Sequence, residues 1–443
     1  MASTYLSRTP ASTGNRKIWT WSGWVKRSKL NYGTQQDLFT VSTSANTFTI
    51  FYFPTNTDTL VFYQATSGGT DSFYSTEIQY FRDVSAWYHI VLAVDTTQAT
   101  ASNRVKLYIN GNSNPWLIGN PTHPTQNSDT YINTTNRFDI GSQGSGFANG
   151  TSCFDGLMAS VYFIDGQALT PSSFGETDAT TGIWKPKSYS GSYGTNGFFL
   201  KFESSGSLGT DSSGNGNNFT VNGTPTQTVD TPSNVFCTLN AIQNGNGTTS
   251  SLSNGNTTAG TNDNRGVAGT LGVNKGKWYW EVKNVGTQTN QRFGVSNRAN
   301  EQDGDASPTG DTANVRSYVG LNYQKNYSAS SGTTNNSFIG TNGTVFAFAL
   351  DLDNGTMGRY VNGTLISTDT TLPSDNSVTF FPFTFVTFNN GNWNQAQFNF
   401  GNGVFGSTAI SSPYSDGAGL GKFQYAVPSG YYALCTKNIN VYG

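Results

Sequence analysis

The chain has 443 residues, with 24 Lys+Arg against 26 Asp+Glu, and charged residues make up only 11% of it. Average globular usage is about 25% charged; here 60 Thr, 48 Asn and 51 Gly take their place, beside 30 Phe, 22 Tyr and 9 Trp. The aromatic content excludes a disordered chain, and a net charge of −2 denies it the basic face that phosphate backbones require, so no nucleic-acid partner is expected.

In chain order, residues 1–13 read as an N-terminal arm, with no apolar core of a signal peptide, and no later window is apolar enough to span a bilayer. Short strands then follow at 18–25 (IWTWSGWV), 47–53 (TFTIFYF), 59–64 (TLVFYQ), 87–94 (WYHIVLAV), 104–109 (RVKLYI) and 157–164 (LMASVYFI). A second set lies at 278–283 (WYWEVK), 344–352 (TVFAFALDL), 379–388 (TFFPFTFVTF) and 396–400 (AQFNF). Aromatic and β-branched residues favour a pleated surface, and the intervening Gly, Asn, Asp and Ser supply turns. Amphipathic helices of ten or more residues are not found.

In 104–109, Val105, Leu107 and Ile109 share one face; in 344–352 both faces are apolar, which predicts a central strand covered on each side. Asn110-Gly111 and Asn362-Gly363 each follow a strand and predict tight type I′ hairpins. Trp19, Trp21 and Trp24, and Trp278, Tyr279 and Trp280, are expected to fill sandwich cores. The expectation is an all-β protein of two tandem antiparallel β-sandwiches (jelly rolls), spanning 14–202 and 235–443. A Gly/Ser/Asn/Thr-rich connector over 203–234 joins them, and 243–266 is a long loop in the second unit.

The stretches TWSGWVKR (20–27), AWYHIVLAVDT (86–96), RVKLYINGN (104–112) and FDGLMASVYFIDGQALTPSSFGE (154–176) resemble a laminin G-like, concanavalin A-type jelly roll. GKWYWEVKN (276–284), FGVSN (293–297), YVGL (318–321), TVFAFALDLDNGTMGRYVNGTLI (344–366) and FPF (381–383) resemble a SPRY domain. TGIWKP (181–186), YGTNGFFLKF (193–202) and PSGYYALCTKN (428–438) are similar to segments of structural proteins of marine tailed bacteriophages. The resemblance implies a protein of the virion surface, assembled in the host cytoplasm beside other virion proteins, as a tail fibre or receptor-binding protein. Capsid decoration or a head fibre is the alternative, because no fibrous repeat or heptad is present. A homo-oligomer, with a trimer favoured, is implied.

Catalytic groups are scarce. His89 lies in a strand and His123 in a Pro-rich loop, away from any nucleophile motif. A glycanase would need two carboxylates flanking the scissile bond, and the few glutamates (Glu77, Glu176, Glu203, Glu281, Glu301) form no alternating acidic strand. The expectation is a non-enzyme. Cys153, Cys237 and Cys435 form no disulfide framework or zinc spacing. Asp211, Ser213, Asn215 and Gly216 imitate the start of an EF-hand loop, but its twelfth position is Asn222. Glu301, Asp303, Asp305 and Asp311 form the densest acidic loop; no cofactor is expected, with calcium as the one ion this loop would suit. Host-surface glycan is the expected ligand, and Trp116, Trp393, Tyr323 and Tyr327, in turn-rich surroundings, are the candidate contacts.

Overall fold

The computed structural model describes residues 4–30, 33–44, 46–65, 72–76, 79–114, 121–144, 150–241, 252–260, 265–286, 292–297, 315–319, 341–370, 372–386 and 395–443. The chain divides into two compact units, Met1–Gln227 and Thr228–Gly443. Each is an antiparallel β-sandwich.

In the first unit a seven-stranded sheet runs, edge to edge, Thr220–Asn222, Tyr5–Arg8, Phe138–Ile140, Gln36–Ser44, Thr47–Phe53, Val61–Ala65 and Ser72–Ser75. A six-stranded sheet runs Phe198–Leu200, Gly156–Asp165, Ile18–Arg27, Tyr88–Asp95, Val105–Ile109 and Asn112–Asn114. Alternate residues of both sheets meet between them. Val105, Leu107 and Ile109 are buried there, and Trp19 and Trp21 pack edge-on against Phe39 and Phe51 at centroid distances of 6.2 and 5.7 Å. Such ring pairs add to the area that they bury.

In the second unit an eight-stranded sheet centres on Lys277–Val285, flanked by Val345–Asp351 and Gln395–Asn399. A four-stranded sheet (Arg265–Ala268, Phe381–Val386, Arg292–Ser296, Val315–Val319) completes the unit. The central position of 344–352 is borne out: Phe348, Leu350 and Leu352 enter the main core while Ala347 and Ala349 join a second cluster on the opposite face. Both hairpins also have the expected geometry. Asn110 and Gly111 take φ of 49° and 83°, Asn362 and Gly363 take 47° and 81°. In each, the Asn Oδ1 accepts a backbone N–H from the start of the strand that pairs with the one leading into the turn, from His89 (2.8 Å) and Val345 (3.0 Å).

Four sequence-based expectations are corrected. Residues 5–8, inside the expected arm, are a paired strand whose Leu6 reaches the core. Much of the expected connector belongs to the first unit: Phe219 is buried, and Thr220–Asn222 pairs with Tyr5–Arg8. The expected loop over 243–266 contains the strands Leu252–Ser253 and Thr258–Gly260 and the start of Arg265–Ala268. Trp24 and Tyr279 are buried on the outer faces of their sheets rather than between sheets, because successive strand residues point to opposite sides.

Candidate functional site

All eight sequence-derived site residues, namely Trp116, Trp393, Tyr323, Tyr327, Glu301, Asp303, Asp305 and Asp311, lie outside the described residues. The EF-hand imitation is a structural clip. Asp211 accepts from the backbone N–H groups of Phe199, Ser213 and Asn217 and from Ser213 Oγ, all at 2.8–2.9 Å. The side-chain amides of Asn215 and Asn217 tie the same loop to the carbonyls of Gly194, Thr195 and Gly197. Its carboxylate is consumed by the fold.

Each sandwich closes the outer face of one sheet with its own chain. In the first unit, residues 166–193 lie over the six-stranded sheet, where Tyr162, Ile164, Val91 and Phe199 pack against Phe174, Leu169 and Tyr189. At its centre His89 is stacked between Trp24 (4.8 Å) and Trp184 (5.9 Å). Trp184 Nε1 donates to His89 Nδ1 at 2.9 Å. An indole N–H only donates, so the histidine proton sits on Nε2 and is donated to Ser22 Oγ at 2.9 Å. Burial holds the ring neutral, with its pKa lowered to about 3. Ser22 and His89 are therefore no nucleophile–base pair.

In the second unit, residues 416–433 lie over the outer face of the eight-stranded sheet, with Phe423 and Tyr279 edge-on at 4.9 Å. Here the anchor is an acid. Glu281 is fully buried and accepts from Gln424 N (2.8 Å), Tyr425 N (2.9 Å) and Asn399 Nδ2 (3.0 Å). Burial pushes its carboxyl up to about 7, against the pull of those hydrogen bonds.

In the first unit an acid pair lies on the outer face of the seven-stranded sheet. Asp139 opposes Thr40 across the ladder, and Thr40 Oγ1 donates to Asp37 at 3.3 Å. Both carboxyls are fully buried, which raises Asp37 well above the usual range and Asp139 to about 6 despite Arg137. Gly144 approaches Asp139 so closely that an added Cβ would stand 3.2 Å from its Oδ2. Neither acid faces solvent.

Among the described aromatics of the first unit, Tyr80 is the one most open to solvent, at 49%. It is nevertheless held in place. The Arg82 guanidinium lies 4.3 Å from the ring centroid, and Arg82 Nε donates to the buried Asp58 at 2.9 Å. Asp58 also receives the buried Arg27, whose own guanidinium lies over Phe53 and donates to Phe81 O. A rigid aromatic face beside a half-exposed guanidinium suits stacking on a sugar ring with hydrogen bonding at its rim. Sequence reading missed it because Phe81 and Tyr80 look alike; only burial separates the anchor from the exposed ring.

Comparison with known proteins follows this division. The concanavalin A-like lectin/glucanases superfamily profile (Laminin_G_3) matches residues 2–174, and the SPRY domain profile matches residues 277–403. The chain therefore carries a laminin G-like, concanavalin A-like domain followed by a SPRY domain. Both anchoring segments, at Trp184 and at Gln424–Tyr425, lie beyond the matched spans. Similar solved structures include stonustoxin, at 20% identity over 33% of this chain with a TM-score of 0.26; the chain covers 24% of that one. A SAP-like pentraxin from Limulus polyphemus has 15% identity, covering 50% of this chain and 89% of its own, with a TM-score of 0.30. The SPRY domain of human HERC1 has 18% identity, covering 32% and 87%, with a TM-score of 0.24. No curated protein matches the sequence.

Proposed function

We propose that this protein is a non-enzymatic structural protein displayed on a tailed bacteriophage, attaching to host-surface glycans, with a tail fibre as its placement and a homotrimer as its assembly. The observation that carries the attachment role is the division of labour in the first unit. The outer sheet face around His89 is filled by the protein's own residues 166–193, while Tyr80 is presented to solvent beside the half-exposed Arg82, which is anchored on the buried Asp58–Arg27 pair. Binding on the rim of a rigid sandwich is the arrangement that such a scaffold favours. The non-enzymatic part is supported by the buried, hydrogen-bonded state of His89, Glu281, Asp37 and Asp139. Low charge, at 11% of residues, suits a surface whose stability varies little with salt.

Capsid decoration is the second reading, favoured by a sequence without heptads or fibrous repeats. Immunogold labelling of intact particles separates the two: label at the tail tip supports the fibre, label over the head supports decoration, and no label on particles overturns both. For attachment, the purified full chain should bind host cells, and Tyr80→Ala with Arg82→Ala should weaken binding at least tenfold. Undiminished binding by the double variant would remove Tyr80 from the account. Release of sugars from host polysaccharide by the purified chain would overturn the non-enzymatic reading.

A further inference from the structure

The loop that carries Tyr80 and Arg82 is held rigidly. Phe81, between them, is fully buried and packs edge-on against Phe53 (5.6 Å) and Tyr88 (5.1 Å). Backbone N–H groups fix the chain along its length: Gln79 donates to Thr76 O (2.7 Å), Phe81 to Asp58 O (2.8 Å) and Asp83 to Tyr88 Oη (3.1 Å). Side chains carried on such a loop lose little freedom when a ligand arrives.

The charges beneath it do not balance. Arg16, Lys29 and Arg137 each pair with an acid of their own, Asp129, Asp155 and Asp139. Asp58 instead takes two guanidiniums, Arg27 at Oδ1 (3.1 Å) and Arg82 at Oδ2 (2.9 Å). The buried Arg27 already neutralises that carboxylate, so the charge of Arg82, whose side chain is 54% exposed, is in excess at the surface. Arg82 is gripped through Nε, which orients the guanidinium and leaves its two terminal nitrogens without an acceptor among the described residues. The neighbouring acid, Asp83, has its Oδ1 engaged by Ser85 N (2.8 Å) and Ser85 Oγ (2.5 Å). A planar, oriented fork of N–H donors matches a carboxylate, and charge-assisted bonds of this kind are about twice as strong as neutral ones.

Resting on the attachment reading above, we propose that the Tyr80–Arg82 face takes an acidic sugar, a pyranose that bears a carboxylate, as a hexuronate does. The carboxylate pairs with the terminal nitrogens of Arg82 while the sugar ring rests on the exposed part of Tyr80. A neutral sugar in the same place would cover the guanidinium and leave its charge without a partner, so the site selects against it.

Calorimetry on the full-length protein tests this with trigalacturonate and its methyl ester, which keeps the rings and removes the charge. The acid should bind at least about tenfold more tightly than the ester, a comparison that needs no variant to fold. Arg82→Gln should bind the two alike. Arg82→Lys, which keeps the charge without the fork, should lose most of the preference. Equal affinity for acid and ester, binding of neither, a preference that survives in Arg82→Gln, or tighter binding of maltotriose phosphate than of trigalacturonate would each overturn the carboxylated sugar as the ligand. Attachment through Tyr80 and Arg82 stands or falls separately, on the binding of host cells by the double variant.

Discussion

The two sandwiches cover a sheet face with chain whose anchoring residues lie beyond the matched domains, yet they anchor that chain by opposite chemistry. Residues 166–193 are pinned by a neutral ring stack, Trp24–His89–Trp184, with the indole N–H satisfied by imidazole. Residues 416–433 are pinned by a buried acid on backbone amides. The hairpins repeat the theme. A Cβ on Gly111 would stand 2.8 Å from the Trp184 ring, just as one on Gly363 would meet Tyr425. In both cases a glycine at positive φ, chosen for a type I′ turn, also opens a slot for the anchoring aromatic. The lesson is that one covering device can be fastened by a neutral ring or by a hydrogen-bonded acid.

The largest expected effect comes from Trp184→Ala, which removes a ring from the stack and leaves His89 Nδ1 without its donor. Truncating a buried tryptophan costs about 3–5 kcal/mol, and the half-buried Trp184 should fall near the lower end. Urea unfolding of the full chain checks this; a loss under about 0.5 kcal/mol would show that the stack does not hold the segment.

Gly111→Ala and Gly363→Ala come next. Positive φ alone costs an alanine about 1–2 kcal/mol, and displacement of the ring adds to it. Both variants should therefore lose more than alanine at Gly214, which has φ of 91° but open space around its Cβ position. Equal losses at all three would mean that the slots are incidental.

The most finely graded difference is in pH. His89 has a folded pKa below its unfolded value, so its contribution is complete above about pH 6.5 and is lost as pH falls toward 3. The slope is at most about 1.4 kcal/mol per pH unit. With only two histidines in the chain, nitrogen-15 spectra resolve this directly: His89 should stay in the Nε2–H form down to pH 4. Protonation of His89 near pH 6.5 would break the contrast.

Much of the fold was legible in the sequence because aromatic and β-branched residues alternate with period two around Asn-Gly turns. The same period, applied strictly, separates Trp24 from Trp19 and Trp21, and Tyr279 from Trp278 and Trp280. Leu38 and Phe39 are both buried because the Gln36–Ser44 ladder is irregular there, which hid that strand from pattern reading. The covering segments were not legible. Glu281 alternates outward in WYWEVKN and reads as solvated, and only a partner 143 residues later makes it buried. Tyr80, Arg82 and Asp58 likewise come together through tertiary packing, with no local signal in their spacing.

Hydroxyl-radical footprinting of the free, full-length protein tests most directly whether both outer faces are closed. Trp24, Tyr162 and Tyr279 should oxidise as slowly as the core residues Trp21 and Trp280, while Tyr80 and Tyr414, at 49% and 53% exposure, react quickly. Oxidation of Trp24, Tyr162 or Tyr279 at the rate of Tyr80 would contradict the account, because the sheet faces would then stand open.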